Sequence, residues 1–153
     1  GMMPSFFVAH TYFWGDIHLQ NFGYERGSQV SPVRDAIEYG MKYTFHQDTP
    51  VLPPDMLRTV WCAVNRVSRT GESIGKNQKI SVLDALKAIT IYGAYQYFEE
   101  KEKGSIECKK CADFVILDKN PLETPVDELA DIKVLMTIKE NQVIYRNEEA
   151  DYE

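Results

Sequence analysis

The sequence predicts a mixed α/β chain, and three observations carry that expectation. Phe6-Phe7-Val8-Ala9 is a short, wholly apolar run and Tyr43-Thr44-Phe45-His46 a second, β-rich one; an all-apolar run of this kind suits a strand buried on both faces, as in parallel sheets. Between and after them lie stretches whose apolar residues recur at helical spacing. From residue 104 onward the pattern changes to β-runs separated by turn residues.

Each element follows from local chemistry. Pro4 precedes the first run, which gives way to a polar and aromatic stretch from His10 to His18. Ser31-Pro32 reads as a helix start, with Ser as cap and Pro at the first helical position; Val33, Ile37 and Met41 provide its apolar contacts and Gly40 its end. After the second run, Pro53-Pro54 opens a helix with Leu57, Val60, Trp61, Val64 and Val67 on one face. Residues 70–79 read as a loop. Ser81-Val82-Leu83-Asp84 has capping-box spacing and starts a helix expected to run to about Phe98. Phe114-Val115-Ile116-Leu117 is a β-run closed by an Asp118-Lys119-Asn120-Pro121 turn. Val134–Ile138 and Val143–Tyr145 then form a hairpin around Asn141, a residue suited to a left-handed position.

Composition narrows the function classes. The chain has 153 residues, 17 basic and 23 acidic, a net charge of −6, and 44% apolar residues. Such a length can bury a real core without disulfides or metal staples. The acidic balance, with no basic stripe interleaved with aromatics, argues against nucleic acid. No apolar run approaches the ~20 residues of a spanning helix, so no membrane association is expected. Glu148, Glu149, Asp151 and Glu153 concentrate the acidity in a tail that reads as frayed and solvated. No secretory signal is visible at the start, and three cysteines are an odd count, so a reducing, cytoplasmic location is expected. Cys62 falls in a helical pattern and reads as a buried thiol. Cys108 and Cys111 form a C-x-x-C that could be a redox pair or half of a zinc site; with no second ligand pair at suitable spacing, a turn holding two cysteines is the simpler reading. Gly71 to Gly75 lacks the Lys-Ser/Thr ending of a phosphate loop.

The residues able to carry chemistry follow the two buried runs. His10, Asp16 and His18 come after the first, and His46 and Asp48 end the second, so all three histidines lie there. In parallel β/α architectures such strand ends form the active-site rim, where imidazole and carboxylate groups read as catalytic or metal-binding. The alternative is plainer: hydrogen-bonded loop histidines, with Asp48 capping a turn before Pro50 and Tyr12, Phe13 and Trp14 as packing.

At this point the chain resembles a known family. Phe45-His46-Gln47-Asp48-Thr49-Pro50-Val51 resembles the strand-eight motif of the amidohydrolase superfamily, and Pro4 through Asp16 is similar to strand seven and its loop in the amidohydrolase 3 subgroup. Lys103-Gly104-Ser105-Ile106-Glu107 and Ala112 through Asp118 resemble the family's return to its small β-sandwich. The likeness runs from about residue 4 to residue 146, and resembles the C-terminal third of such proteins. It implies the last two β/α units of a (β/α)8 barrel in residues 1–103, then β-sandwich strands and the acidic tail in 104–153. It further implies metal-dependent hydrolysis of the C–N bonds of non-peptide amides, with zinc the expected divalent metal. By the same resemblance Asp48 is the carboxylate that binds metal or takes the proton of the attacking water, and His10, Trp14, Asp16 and His46 line the substrate pocket.

The departures set further expectations. The family's remaining metal ligands belong to strands upstream of residue 1, and one carboxylate cannot hold a catalytic metal; the chain is therefore expected to be a truncated, inactive family member that binds no metal tightly. Family-like sequences have a Pro-Gly turn where Cys108-Lys109 stands here. Two barrel strands cannot close a barrel and leave edges and apolar faces to cover. Self-association into a homo-oligomer is expected, or completion by a separately encoded N-terminal half; an independent small-ligand binding protein is a third reading.

Overall fold

The first apolar run pairs with the second, and the pairing is parallel. In the computed structural model, which describes residues 2–148, β1 (Ser5–Phe6) lies beside β2 (Thr44–Phe45) in the register Ser5 to Thr44 and Phe6 to Phe45. The Thr44 and His46 amides donate to the Pro4 and Phe6 carbonyls at 3.0 and 3.2 Å. Both strands are shorter than the apolar runs that contain them. Val8 and Ala9, fully buried, already belong to the turn beyond β1.

The crossover between the strands is helical from its first residue, where the sequence suggested a polar loop. The amides of His10 and Thr11 donate to Phe7 and Val8, and the Thr11 hydroxyl donates to the Val8 carbonyl at 2.9 Å, winding the chain into α1 (His10–Phe13) and then α2 (Gly15–Gly27). The α2 helix breaks at Gly23, whose φ of 73° suits glycine. Its second half folds back so closely that a Cβ on Gly27 would stand 2.8 Å from the His18 carbonyl oxygen. The expected cap of the next helix is also corrected. Ser31 has φ 52°, Pro32 occupies the cap position of α3 (Val33–Glu38), and the Ser31 hydroxyl donates instead to the Phe7 carbonyl at 3.4 Å. The start of α3 is satisfied from a distance: the Gln78 side-chain oxygen accepts from the Arg34 and Asp35 amides at 3.0 and 3.3 Å, while its amide donates to the Asp35 carboxylate at 2.6 Å.

Capping follows the sequence at Ser81, whereas the helix after β2 starts just after the expected Pro53-Pro54 opening, on an Asp55 cap. In α4 (Met56–Asn65) Asp55 accepts from the Arg58 amide at 2.9 Å, and in α5 (Val82–Ile89) the Ser81 hydroxyl accepts from the Asp84 amide at 3.1 Å. The helix expected to reach Phe98 is broken at Thr90, whose hydroxyl donates to the Leu86 carbonyl at 2.7 Å, four residues back; α6 (Ile91–Gln96) follows. The chain then returns over α6 so tightly that a Cβ on Gly104 would lie 2.7 Å from that of Ala94.

β3 (Phe114–Leu117), β4 (Val134–Lys139) and β5 (Gln142–Arg146) form an antiparallel sheet with β4 in the centre. Asn141 takes the left-handed position expected of it, φ 63°, and Glu140 takes another at φ 49°. The core runs through the first hundred residues, with Val8, Ala9, Tyr43, Val60, Cys62, Ala63, Ala85 and Ala88 almost wholly covered. Leu129 and Ile132 join it from the segment between β3 and β4. Burial pushes the Cys62 thiol up to about 12. Among the described residues no helix is long and apolar enough to cross a membrane. Most of the acidic tail lies outside the described residues.

Candidate functional site

The helical conformation after β1 builds the site. His10, Trp14, His18 and Phe22 are spaced four apart, and the Trp14 and His18 amides donate to the His10 and Trp14 carbonyls at 2.9 Å each, so the stripe continues across the α1–α2 junction. The His10 ring lies 5.1 Å from that of Trp14 and 5.4 Å from that of His18, and His18 stacks on Phe22 at 5.8 Å with planes 15° apart. Phe7, at the end of β1, joins this stripe to β2. Its ring is 4.2 Å from His10 and 5.3 Å from His46. Three histidines from two strand ends therefore share one aromatic wall.

The wall's electrostatics follow from crowding. His10 is held below the ordinary histidine value, first by burial, then by the neighbouring His18 and His46, with Asp48 pulling the other way. Neutral imidazole is thus the favoured form of His10 at neutral pH. The Nε2 atom of His18 is buried without a hydrogen-bond partner. Asp48 is exposed beyond β2 with φ 52°, and its carbonyl accepts from the Val51 amide at 2.8 Å. Between His46 and Asp48, the buried Gln47 turns inward, its amide donating to the Asp55 carbonyl and the Thr59 hydroxyl, which fixes the end of β2 to α4.

Not every expected residue faces this wall. The Asp16 carboxylate accepts from the Ser68 and Thr70 hydroxyls at 2.6 Å each, which ties the start of α2 to the loop after α4 and holds the carboxyl below the usual range. His18 and Phe7 are wall members that the pocket assignment left out. The i, i+4 spacing from His10 to Phe22 was the available signal, and it lacked force because α2 carries no continuous apolar stripe.

A metal ion is a poor match to these side chains alone. Among the described residues no three His, Cys, Asp or Glu side chains are grouped so that they could hold one. Cys108 and Cys111 are exposed on the turn before β3. A groove of about 1330 Å3 lies elsewhere, between α4–α6 and the three-stranded sheet, and is lined by residues including Leu57, Leu86, Ile89, Val115, Val134 and Ile144.

Two parallel strands joined through helices thus carry histidines and a carboxylate beyond their C-terminal ends. The model of the Amidohydrolase family matches residues 1–145, and the chain belongs to that family. It is similar to the N-substituted formamide deformylase of Arthrobacter pascens, with 27% identity over 137 residues, 86% of this chain and 24% of that protein. Among solved structures it is similar to an uncharacterized metal-dependent hydrolase of Pyrococcus horikoshii OT3, at 26% identity and TM-score 0.69, over 82% of this chain and 26% of that one. It shares the fold of an amidohydrolase of Thermotoga maritima MSB8, at 20% identity and TM-score 0.57, over 75% of this chain and 26% of that one. The chain spans about a quarter of the length of the curated relatives it matches.

Proposed function

We propose that these residues supply the last two β/α units of a (β/α)8 amidohydrolase barrel and strands of its β-sandwich, and contribute one wall of a site that hydrolyses the C–N bonds of non-peptide amides. The observation that carries this reading is the convergence of His10, Trp14 and His46 around Phe7 beyond two parallel strands, with Asp48 close enough to influence His10. In that site Asp48 takes the proton of the attacking water and passes it to the leaving nitrogen, while the imidazoles of His10 and His46 orient the amide. The family implies a divalent metal, zinc being the expected one. The side chains described here do not assemble its ligand set, so the reading requires ligands from outside these residues and no hydrolysis by the chain alone.

The open groove supports a second part of the proposal. Its apolar lining, together with β5, whose Val143 and Ile144 are exposed, favours a chain that completes its fold against further polypeptide, either an N-terminal part of the same barrel or other copies of itself. Large apolar surfaces of this kind are uncommon on isolated soluble molecules.

The test is calorimetric titration of the chelator-treated chain with zinc, beside an assay against simple amides and N-substituted formamides. The expected outcome is neither tight zinc uptake nor hydrolysis. Submicromolar binding or turnover that disappears in Asp48→Ala would show a complete site and overturn the incomplete-wall reading. Light scattering on the same sample tests the second part, where a single species near 17.6 kDa would exclude self-association.

A further inference from the structure

Arg66 is the largest fully buried side chain of the described residues, and it makes no ion pair among them. It follows α4 with φ 53°, a left-handed conformation that aims the chain away from the helix. Its guanidinium spends its donors on carbonyls. Nε donates to Ile74 at 2.8 Å, Nη1 to Ser31 at 3.1 Å, and Nη2 to Val30 at 2.9 Å and Ser28 at 3.2 Å. Burial lowers its pKa only to about 10, so it stays charged at neutral pH. A buried charge held by four carbonyl dipoles, without a carboxylate, costs desolvation that a plain packing residue would avoid.

Three of the four carbonyls it gathers, those of Ser28, Val30 and Ser31, belong to the loop between α2 and α3, and that loop supports the histidine wall from two sides. Ser28 is the C-terminal cap residue of the second half of α2, beyond the break at Gly23, and that half folds back with Gly27 against the His18 carbonyl. Ser31, held at φ 52°, directs its hydroxyl to the Phe7 carbonyl, the same oxygen that accepts the His10 amide at 3.1 Å. That Phe7 ring is the one lying against both His10 and His46. The loop after α4 closes over the guanidinium only because residue 75 is glycine: at φ 69°, a Cβ there would stand 2.1 Å from the Ser28 oxygen and 3.2 Å from Nη2.

We propose that Arg66 is a positioning residue for the histidine wall, acting through the Ser28–Ser31 loop on α2 and on the Phe7 carbonyl. The role rests on reading that wall as the substrate-facing side of the site, yet its consequence is geometric and does not require turnover. A lysine cannot reproduce it, because one ammonium has three donors from a single point whereas the guanidinium serves four carbonyls from three nitrogens in a fixed plane.

The test is the side-chain NMR spectrum of the full chain, read at the His10 and His18 ring protons and the Trp14 indole, whose shifts report the facing rings. Arg66→Lys is expected to move the His10 and His18 lines toward the positions of unstacked histidine. Leu129→Ala, which destabilises the core where the segment before β4 packs on α4, serves as control and is expected to leave those lines in place. Ser31→Ala retains the guanidinium contacts to carbonyl groups and removes only the hydroxyl on Phe7, so it is expected to move His10 and leave His18 unmoved. If Arg66→Lys folds and its histidine lines stay where the control leaves them, the proposal is overturned. If Arg66→Lys does not fold, Ser31→Ala tests the link that the role requires: an unchanged His10 line overturns the proposal, and a displaced one supports the Ser31–Phe7 step through which Arg66 acts. Loss of the hydrolase reading by the zinc and amide experiments would leave these shifts, and hence this test, unaffected.

Discussion

The helical region that holds β1 and β2 and the three-stranded sheet that follows it satisfy themselves in different ways. In the first, β2 is buried at both residues, and distant polar groups are tied to one another by Arg66, Gln47 and Gln78. In the second, every residue of β5 is exposed and β3 has its two middle residues exposed. Backbone pairing forms the sheet, yet only Leu117, Leu129 and Ile132 among its strands and connections reach the main core. The difference teaches that one region is specified by its interior, whereas the other is specified by hairpin chemistry and leaves apolar side chains exposed.

The largest expected effect tests where the two regions meet. Leu129 is fully covered on the short helical turn against α4, beside the Trp61 indole that donates to the Asp127 carbonyl at 2.9 Å. Leu129→Ala is predicted to cost about 2–5 kcal/mol in chemical denaturation. A cost below about 1 kcal/mol would mean that the segment is held by its hydrogen bonds and that the contrast in packing is overstated.

A pH-dependent effect of intermediate size belongs to the helical region. The Asp16 carboxyl is depressed by hydrogen bonds from Ser68 and Thr70, so its folded-state value lies below the ordinary unfolded one of about 3.9. Its contribution is therefore present above that unfolded value and is lost as pH falls through the folded one. Urea midpoints measured from about pH 5 down to pH 3 should fall more steeply for the native sequence than for Asp16→Asn. Parallel curves would remove this tie between α2 and the loop after α4 from the account.

The smallest effect is predicted in the sheet. Ile144 on β5 is 62% exposed, and Ile144→Thr should change stability by no more than about 0.5 kcal/mol. A larger loss that grows with protein concentration would sharpen the comparison, because it would show β5 covered by another copy in solution.

Part of the candidate site was legible from residue order. His10, His46 and Asp48 follow apolar runs that were bound to be buried, and the parallel pairing of those runs brings the first two to Phe7. The place of Asp16 was not legible, since its hydroxyl partners lie 52 and 54 residues away. Nor was the conformation of Ser31, which looks like a helix cap in sequence but is turned to φ 52° beside the carbonyls that Arg66 gathers. The break at Thr90 is similar: the capping box at Ser81 marks a start, while the stop depends on a hydroxyl and on the chain returning over α6 at Gly104.

The sequence by itself determined the alternation of buried strand and helix, the cap at Ser81, the hairpin at Asn141 and the family resemblance, because each depends on neighbours within a few positions. Tertiary structure alone decided which side of each polar residue found a partner. It turned Asp16 away from the histidines, brought Gln78 to the start of α3, and enclosed an unpaired guanidinium among four carbonyls. The physical reason is that apolar spacing is written along the chain, whereas the desolvation of a polar group can be offset only by whatever the completed fold places within hydrogen-bond reach.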